Sequence, residues 1–171
     1  VVAAMGVCNT GVGLATIEAF QNAKVPLIVP VSTGTPLTKK FAGAPENWIF
    51  RVSPRDEVQA PFIVADALKR GFRKIALFAD TTGYGEAGKS DVEKALAEAG
   101  LKPVSVQRFA VGVKDLGEQV KEAKAAGADV VISYTVGPEA AVLAKAIQAQ
   151  KWNVQLMGSW PLSWRNFIDA A

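Results

Sequence analysis

Gly71, Gly100 and Gly127 each stand directly after a helical apolar pattern, 29 and 27 residues apart. Glycine ends a helix with least strain, because the left-handed backbone of a C-cap carries no Cβ penalty in it. The interval is that of one strand, one helix and their turns. No side-chain signature recurs with it, so the pattern reads as successive βα units and not as a solenoid repeat. Strands that alternate with helices imply parallel sheets with helices on both faces. Ligands in such sheets bind at the carboxyl ends of the strands.

The expected elements follow in order. Residues 1–5 read as a buried strand that runs into the turn Gly6-Val7-Cys8-Asn9-Thr10-Gly11 and a helix over 11–23. Its apolar residues Val12, Ala15, Ala19, Phe20 and Ala23 fall near one face. Val25–Val29 is a second strand. A loop rich in hydroxyls and turn formers follows, Val31-Ser32-Thr33-Gly34-Thr35-Pro36-Leu37-Thr38. Residues 48–53 form a third strand, and Pro54-Arg55-Asp56 reads as a crossover. Further on, helices are expected over 57–70, 84–99 and 139–150, and strands over 73–79, 102–109, 129–134 and 154–157. Asp115-Leu116-Gly117-Glu118 has capping-box spacing, with Asp in place of Ser or Thr, ahead of a helix that stops at Gly127. Two units are expected, 1–53 and 54–171.

Composition removes several classes of function. Among 171 residues there is no histidine, the commonest general base and metal ligand. A single cysteine, Cys8, permits no internal disulfide and no zinc knuckle; alone at a strand end it reads as a small buried residue. The 19 basic and 16 acidic residues are interspersed, so no nucleic-acid patch is indicated. No apolar run is long enough to span a bilayer. The chain opens without Met inside a strand and stops in a helical pattern, and is read as part of a longer protein.

The motifs favour binding over chemistry. Gly6 and Gly11 have P-loop spacing, but Val12 and Gly13 stand where the phosphate-binding Lys and the magnesium-binding hydroxyl belong. Gly11-Val12-Gly13 begins a dinucleotide fingerprint that fails at Thr16. Asp80-Thr81-Thr82-Gly83-Tyr84-Gly85-Glu86 is a capped strand-to-helix turn, and Tyr84 is also placed to cover a ligand. Asp80, Glu86 and Glu139 all begin helices, where the helix dipole accounts for an acid. Trp160 and Trp164 lie in a polar turn after the last strand, where each indole N–H needs a partner; Trp160 is a candidate ligand wall. No cofactor and no metal is expected.

Taken together and in order, Gly6–Gly11, Pro26–Thr33 with Leu37-Thr38, Phe50–Pro54, Tyr84-Gly85-Glu86 and Pro138-Glu139-Ala140-Ala141 resemble the periplasmic Leu/Ile/Val-binding proteins. These are the type I substrate-binding proteins of branched-chain amino-acid ABC importers. The resemblance implies two Rossmann-like α/β lobes, an incomplete lobe one (1–53) and most of lobe two (54–171). It further implies a solute held in the cleft between them, presentation to a membrane permease, and a periplasmic or extracellular location. Carried over by position, Thr10 would bind a ligand carboxylate with its hydroxyl, Val31 would use its backbone, and Thr33 would contact the ammonium and carboxylate region. Tyr84 would reach in from lobe two. A second cleft tyrosine of the family falls on Val136, with Tyr134 nearby, and the acid that pairs with the ligand's α-ammonium falls on Trp160. With no carboxylate there, a buried ammonium would be heavily penalised, so the expected ligand is a small carboxylate or amide, branched-chain amino-acid-like or an aromatic acid, with an aromatic or other flat apolar body favoured. A ligand sensor of the same fold and a flavodoxin-like enzyme are the alternatives. Lobe one would leave an apolar face open, to be covered by a second copy, or else these residues would be disordered or proteolytically labile.

Overall fold

A computed structural model describes all 171 residues. It contains two parallel sheets. The first, ordered β1-β2-β3, consists of β1 (Ala4–Met5), β2 (Leu27–Val29) and β3 (Ile49–Arg51). Helix α1 (Thr10–Ala23) connects β1 to β2, and the short α2 (Pro36–Lys39) lies in the loop before β3. The second sheet is ordered β5-β4-β6-β7, from β4 (Ile75–Asp80), β5 (Ser105–Phe109), β6 (Val130–Tyr134) and β7 (Gln155–Gly158). Helices α3 (Asp56–Lys69), α4 (Gly83–Glu98), α5 (Gly117–Ala125) and α6 (Gly137–Ala149) alternate with these strands. A single 3-10 turn (Trp160–Ser163) and α7 (Arg165–Ile168) end the chain.

Strands β4 and β6 are buried along their whole length, as central strands covered on both faces must be. Against one face pack Ala60, Ile63 and Val64 of α3 and Val92, Ala95 and Leu96 of α4. Against the other pack Val120 and Ala123 of α5 and Leu143, Ala146 and Ile147 of α6. The three helix-stop glycines have φ of 93°, 72° and 74°, the left-handed conformation expected of them. Lys24 ends α1 in the same conformation without being glycine (φ 52°); its backbone N–H bonds the carbonyls of Phe20 and Gln21.

Three local expectations change. The first strand contains only Ala4–Met5, and Val1 and Val2 lie fully in solvent, because β2 offers a pairing partner only from Leu27 onward. The hydroxyl-rich loop contains a helical turn, α2, started by Pro36 at its first position. Asp115 makes an Asx turn to the Gly117 N–H (2.9 Å) one residue short of the capping position, which Leu116 occupies without a side-chain bond.

The first sheet has one covered face. Ile17, Leu27, Val29, Leu37 and Ile49 form its small core. Met5, Ile28 and Phe50 pair in register across the other face and are 75%, 37% and 50% exposed. The open face is therefore present as expected, but nothing in the molecule supports a second copy as its cover.

Candidate functional site

The strand-to-helix turns of the two sheets face one another. Asn9 caps α1, its Oδ1 accepting from the Gly11 N–H at 2.8 Å, while its Nδ2 donates to Thr82 Oγ1 across the interface at 3.2 Å. Thr82 in turn caps α4, its hydroxyl accepting from the Tyr84 and Gly85 N–H groups. The two helix N-termini approach so closely that a Cβ on Gly83 would lie 2.7 Å from Gly11 N and Cα. A second bond crosses nearby: the Thr35 hydroxyl donates to Asp91 Oδ2 (2.8 Å) and accepts from the Glu57 N–H (2.9 Å). The chain itself crosses once, over Val52–Arg55, where the Ser53 hydroxyl bonds the Ser32 carbonyl at 2.9 Å.

Between these contacts lies a cavity of about 110 Å³, walled by Cys8, Asn9, Val31, Thr33, Tyr84 and Val136 and closed by Trp160, Pro161 and Trp164. The two indoles meet edge to face, with centroids 5.6 Å apart and planes at 70°. The lining is mostly apolar. Of the six residues singled out by resemblance, Val31, Thr33, Tyr84, Val136 and Trp160 share this cavity. Thr10 does not line it. Its side chain is completely buried, its hydroxyl bonding the Ser32 hydroxyl and accepting from the Gly34 N–H, both at 3.1 Å. That hydroxyl holds the first turn against the second loop. Cys8 corrects the sequence reading in the opposite direction: it is exposed, at the cavity wall. Tyr134 lies in the core against Gly88 and does not reach the cavity, where Val136 stands.

Tyr84 is fixed at both ends. Its ring stacks at a tilt on Tyr134, centroids 5.6 Å apart, and its hydroxyl bonds the Ser159 hydroxyl. Burial pushes both phenols well above the usual tyrosine range, so both stay neutral hydrogen-bonding groups. Asp80, read from sequence as a dipole acid, is a clamp. Oδ1 accepts from the N–H and hydroxyl of Thr82 (2.9 and 2.5 Å), and Oδ2 accepts from the Val136 N–H (2.9 Å). It thereby locks together the turns that carry Tyr84 and Val136. Glu86 forms an ion pair with Arg108 on the neighbouring strand. Glu139 accepts from the Gly112 N–H at 2.8 Å.

Sequence reasoning passed over Asp56. It opens α3 after the crossover, wholly buried, with its N–H bonded to the Thr33 carbonyl at 3.0 Å. Burial raises its carboxyl to about 7; the Thr33 hydroxyl and Arg51 pull it down, and Asp91 pushes it up. The Arg51 guanidinium, held below its ordinary value by desolvation, donates to the Thr33 and Gly34 carbonyls (both 2.8 Å) and to Thr38 Oγ1 (3.0 Å). The available signal was positional: Asp56 opens the helix after the third strand of the first sheet, as Thr10 opens the helix after the first.

The arrangement leaves a small cavity with aromatic walls. It brings together no nucleophile with a base, and no histidine exists to serve as one. A curated relative, Leu/Ile/Val-binding protein homolog 2 of Brucella abortus, is 29% identical over 157 residues, covering 90% of this chain and 40% of that protein. The chain thus spans less than half the length of the relatives it matches. Among solved structures, a type 1 periplasmic binding protein from Bordetella pertussis superposes over the whole chain and 46% of its own, with a TM-score of 0.89 and 23% identity. An ABC-transporter solute-binding protein from Rhodopseudomonas palustris HaA2, in complex with p-hydroxybenzoic acid, matches 93% of this chain and 43% of its own, with a TM-score of 0.81 and 24% identity. These relatives are binding proteins and not enzymes. The periplasmic binding protein model matches residues 1–171, and the chain, a two-sheet α/β molecule with a walled interface cavity, belongs to that family.

Proposed function

We propose that this chain is part of a solute-binding component of an ABC importer, with residues 1–53 part of one lobe and 54–171 most of the other. It captures a small carboxylate or amide with a flat apolar body, and delivers it from the periplasm or cell exterior to a membrane permease. The observation that carries the reading is the aromatic cavity between the two sheets, with Tyr84 from one side, Thr33 and Val31 from the other, and Trp160 and Trp164 over the mouth. Its volume of about 110 Å³ suits a body of ring size; an engineered apolar cavity of about 150 Å³ takes benzene. The p-hydroxybenzoate held by the R. palustris protein is a solute of this shape.

The test is thermal-shift screening of the full-length protein against benzoates, aryl amides and branched-chain and aromatic amino acids, followed by calorimetric titration. A true solute at a hundredfold excess over Kd adds about 2.7 kcal/mol of stability. Trp160→Ala should weaken binding at least about tenfold while leaving the ligand-free melting temperature nearly unchanged. A screen without a single stabilising compound refutes the reading.

A further inference from the structure

Residues 159–171 carry Trp160, Pro161 and Trp164, which close the cavity, yet little holds them in place. Within the segment the backbone closes the 3-10 turn and α7, the Ser163 hydroxyl donates to the Trp160 carbonyl at 2.7 Å, and Arg165 pairs with Asp169. Pro161 is the buried residue of the 3-10 turn, and α7 buries none. One hydrogen bond joins the segment to the rest of the molecule. It runs from the Ser159 hydroxyl to the Tyr84 hydroxyl, 75 residues away in sequence.

Ser159 stands directly before the 3-10 turn, where a serine hydroxyl ordinarily accepts from the backbone of the turn it starts. It makes no such bond. Its carbonyl accepts from the Leu162 N–H at 3.2 Å, while its buried hydroxyl is turned to the equally buried phenol of Tyr84. Burial keeps that phenol neutral, and a buried phenol needs a partner. The two ends of the bond differ in rigidity. Tyr84 lies in the first turn of α4, which Thr82 caps and Asp80 clamps, and its ring rests on Tyr134. On the other side the strand end has no slack as far as Gly158, where a Cβ would lie 2.7 Å from the Ser133 carbonyl oxygen. Any swing of the tryptophan turn therefore begins at Ser159.

We propose that Ser159 is a positioning residue of the cavity: its hydroxyl, diverted from its own turn, ties the tryptophan turn to Tyr84 and fixes how far Trp160 and Trp164 reach over the mouth. Ser159 is not itself a wall of the cavity, so it acts through its neighbours. Its effect on a solute rests on the reading of that cavity as the solute site; its hold on the tryptophans does not. The strut also continues to the first sheet. Thr82, whose hydroxyl accepts from the Tyr84 N–H, receives the Asn9 amide across the interface. A continuous run through Asn9, Thr82, Tyr84 and Ser159 thus joins the docking of the two sheets to the seating of the tryptophans.

The experiment is fluorine NMR of the full-length protein labelled with 5-fluorotryptophan, without ligand, for Ser159→Ala, Tyr84→Phe and the double variant. Trp160→Phe and Trp164→Phe assign the two signals, and Trp48 and Trp152 serve as references. Each single variant should shift and broaden the Trp160 and Trp164 signals and leave the references in place. Each also strands one buried hydroxyl and lowers the melting temperature, whereas removing both hydroxyls is nearly neutral. The double variant should therefore recover its melting temperature while its tryptophan signals stay displaced. With 4-hydroxybenzoate and L-leucine as probes, whichever binds should bind about three- to tenfold more weakly to all three variants, mainly through faster release. Unmoved tryptophan signals, or signals that return with the melting temperature in the double variant, overturn the proposal and leave the bond a role in stability alone. Affinity within about twofold of the unaltered protein for a probe that binds overturns it as well, while the cavity reading stands. Displaced signals with no binding by any compound of the broader screen uphold the strut and refute the cavity reading instead. If Ser159→Ala fails to fold, Tyr84→Phe and the double variant carry the same comparison.

Discussion

Replacing Gly83 by alanine separates closure of the two sheets from their folding. Gly83 is the first residue of α4, in a conformation that alanine adopts freely. Within its own half of the molecule the substitution therefore raises helix propensity, by up to about 1 kcal/mol. Across the interface the effect is opposite. The new Cβ would lie 2.7 Å from Gly11 N and Cα and 3.3 Å from the Thr10 carbonyl carbon, all backbone of the start of α1. Ordinary carbon contacts are about 3.5–4.0 Å, so the two helix starts must part by about 1 Å. That displacement also stretches the Asn9–Thr82 bond, already 3.2 Å long, beyond useful range. Overpacking costs about 1–3 kcal/mol and the bond about 1 kcal/mol more, all charged to the closed arrangement. Solute affinity should fall by about 30- to 800-fold, while the ligand-free melting temperature holds or rises. Titration of the strongest compound from the thermal-shift screen measures the first, and scanning calorimetry the second. Gly43→Ala is the control, since nothing lies within 4 Å of its Cβ position. Affinity within about twofold of the unaltered protein for Gly83→Ala would show that the glycine contact does not govern closure.

Further expectations concern the scaffold. Asp80→Ala leaves the N–H groups of Thr82 and Val136 without their partner and should cost about 2–4 kcal/mol in urea denaturation, because both are held by one buried carboxylate. Thr10→Val removes two buried hydrogen bonds and should destabilise by about 1–3 kcal/mol, with any loss of solute affinity recovered in proportion as stabilising osmolyte restores the fold. For Asp56 the folded-state value of about 7 lies above the unfolded 3.8, so between these values the folded chain binds the extra proton. Stability from this group is therefore full at low pH, falls as pH rises from about 4 to 7, and is flat above. Ligand-free Asp56→Asn should lose that slope and gain relative to the unaltered protein at pH 8, as read from denaturation midpoints at pH 5 and 8.

The fold was legible because its signals are local. Apolar runs, capping residues and helix-stop glycines depend on neighbours a few positions away, and they placed the helices and strands of the second sheet within a few residues. The strand ends that face the cavity followed from the same order, since parallel βα units carry their ligand turns at one edge. What sequence could not decide was the use of each polar group there. Thr10 and Thr33 are both hydroxyls at strand ends, yet one spends its oxygen on Ser32 and Gly34 while the other faces the Asp56 carboxyl. Asp80 and Asp56 are both acids at helix starts; one accepts three bonds from two turns, and the other is left without a cation. These differences arise from partners 22 to 56 residues away, or from a partner that is missing. Hydrogen bonding and desolvation are settled by such distant neighbours, which exist only once the two sheets have met.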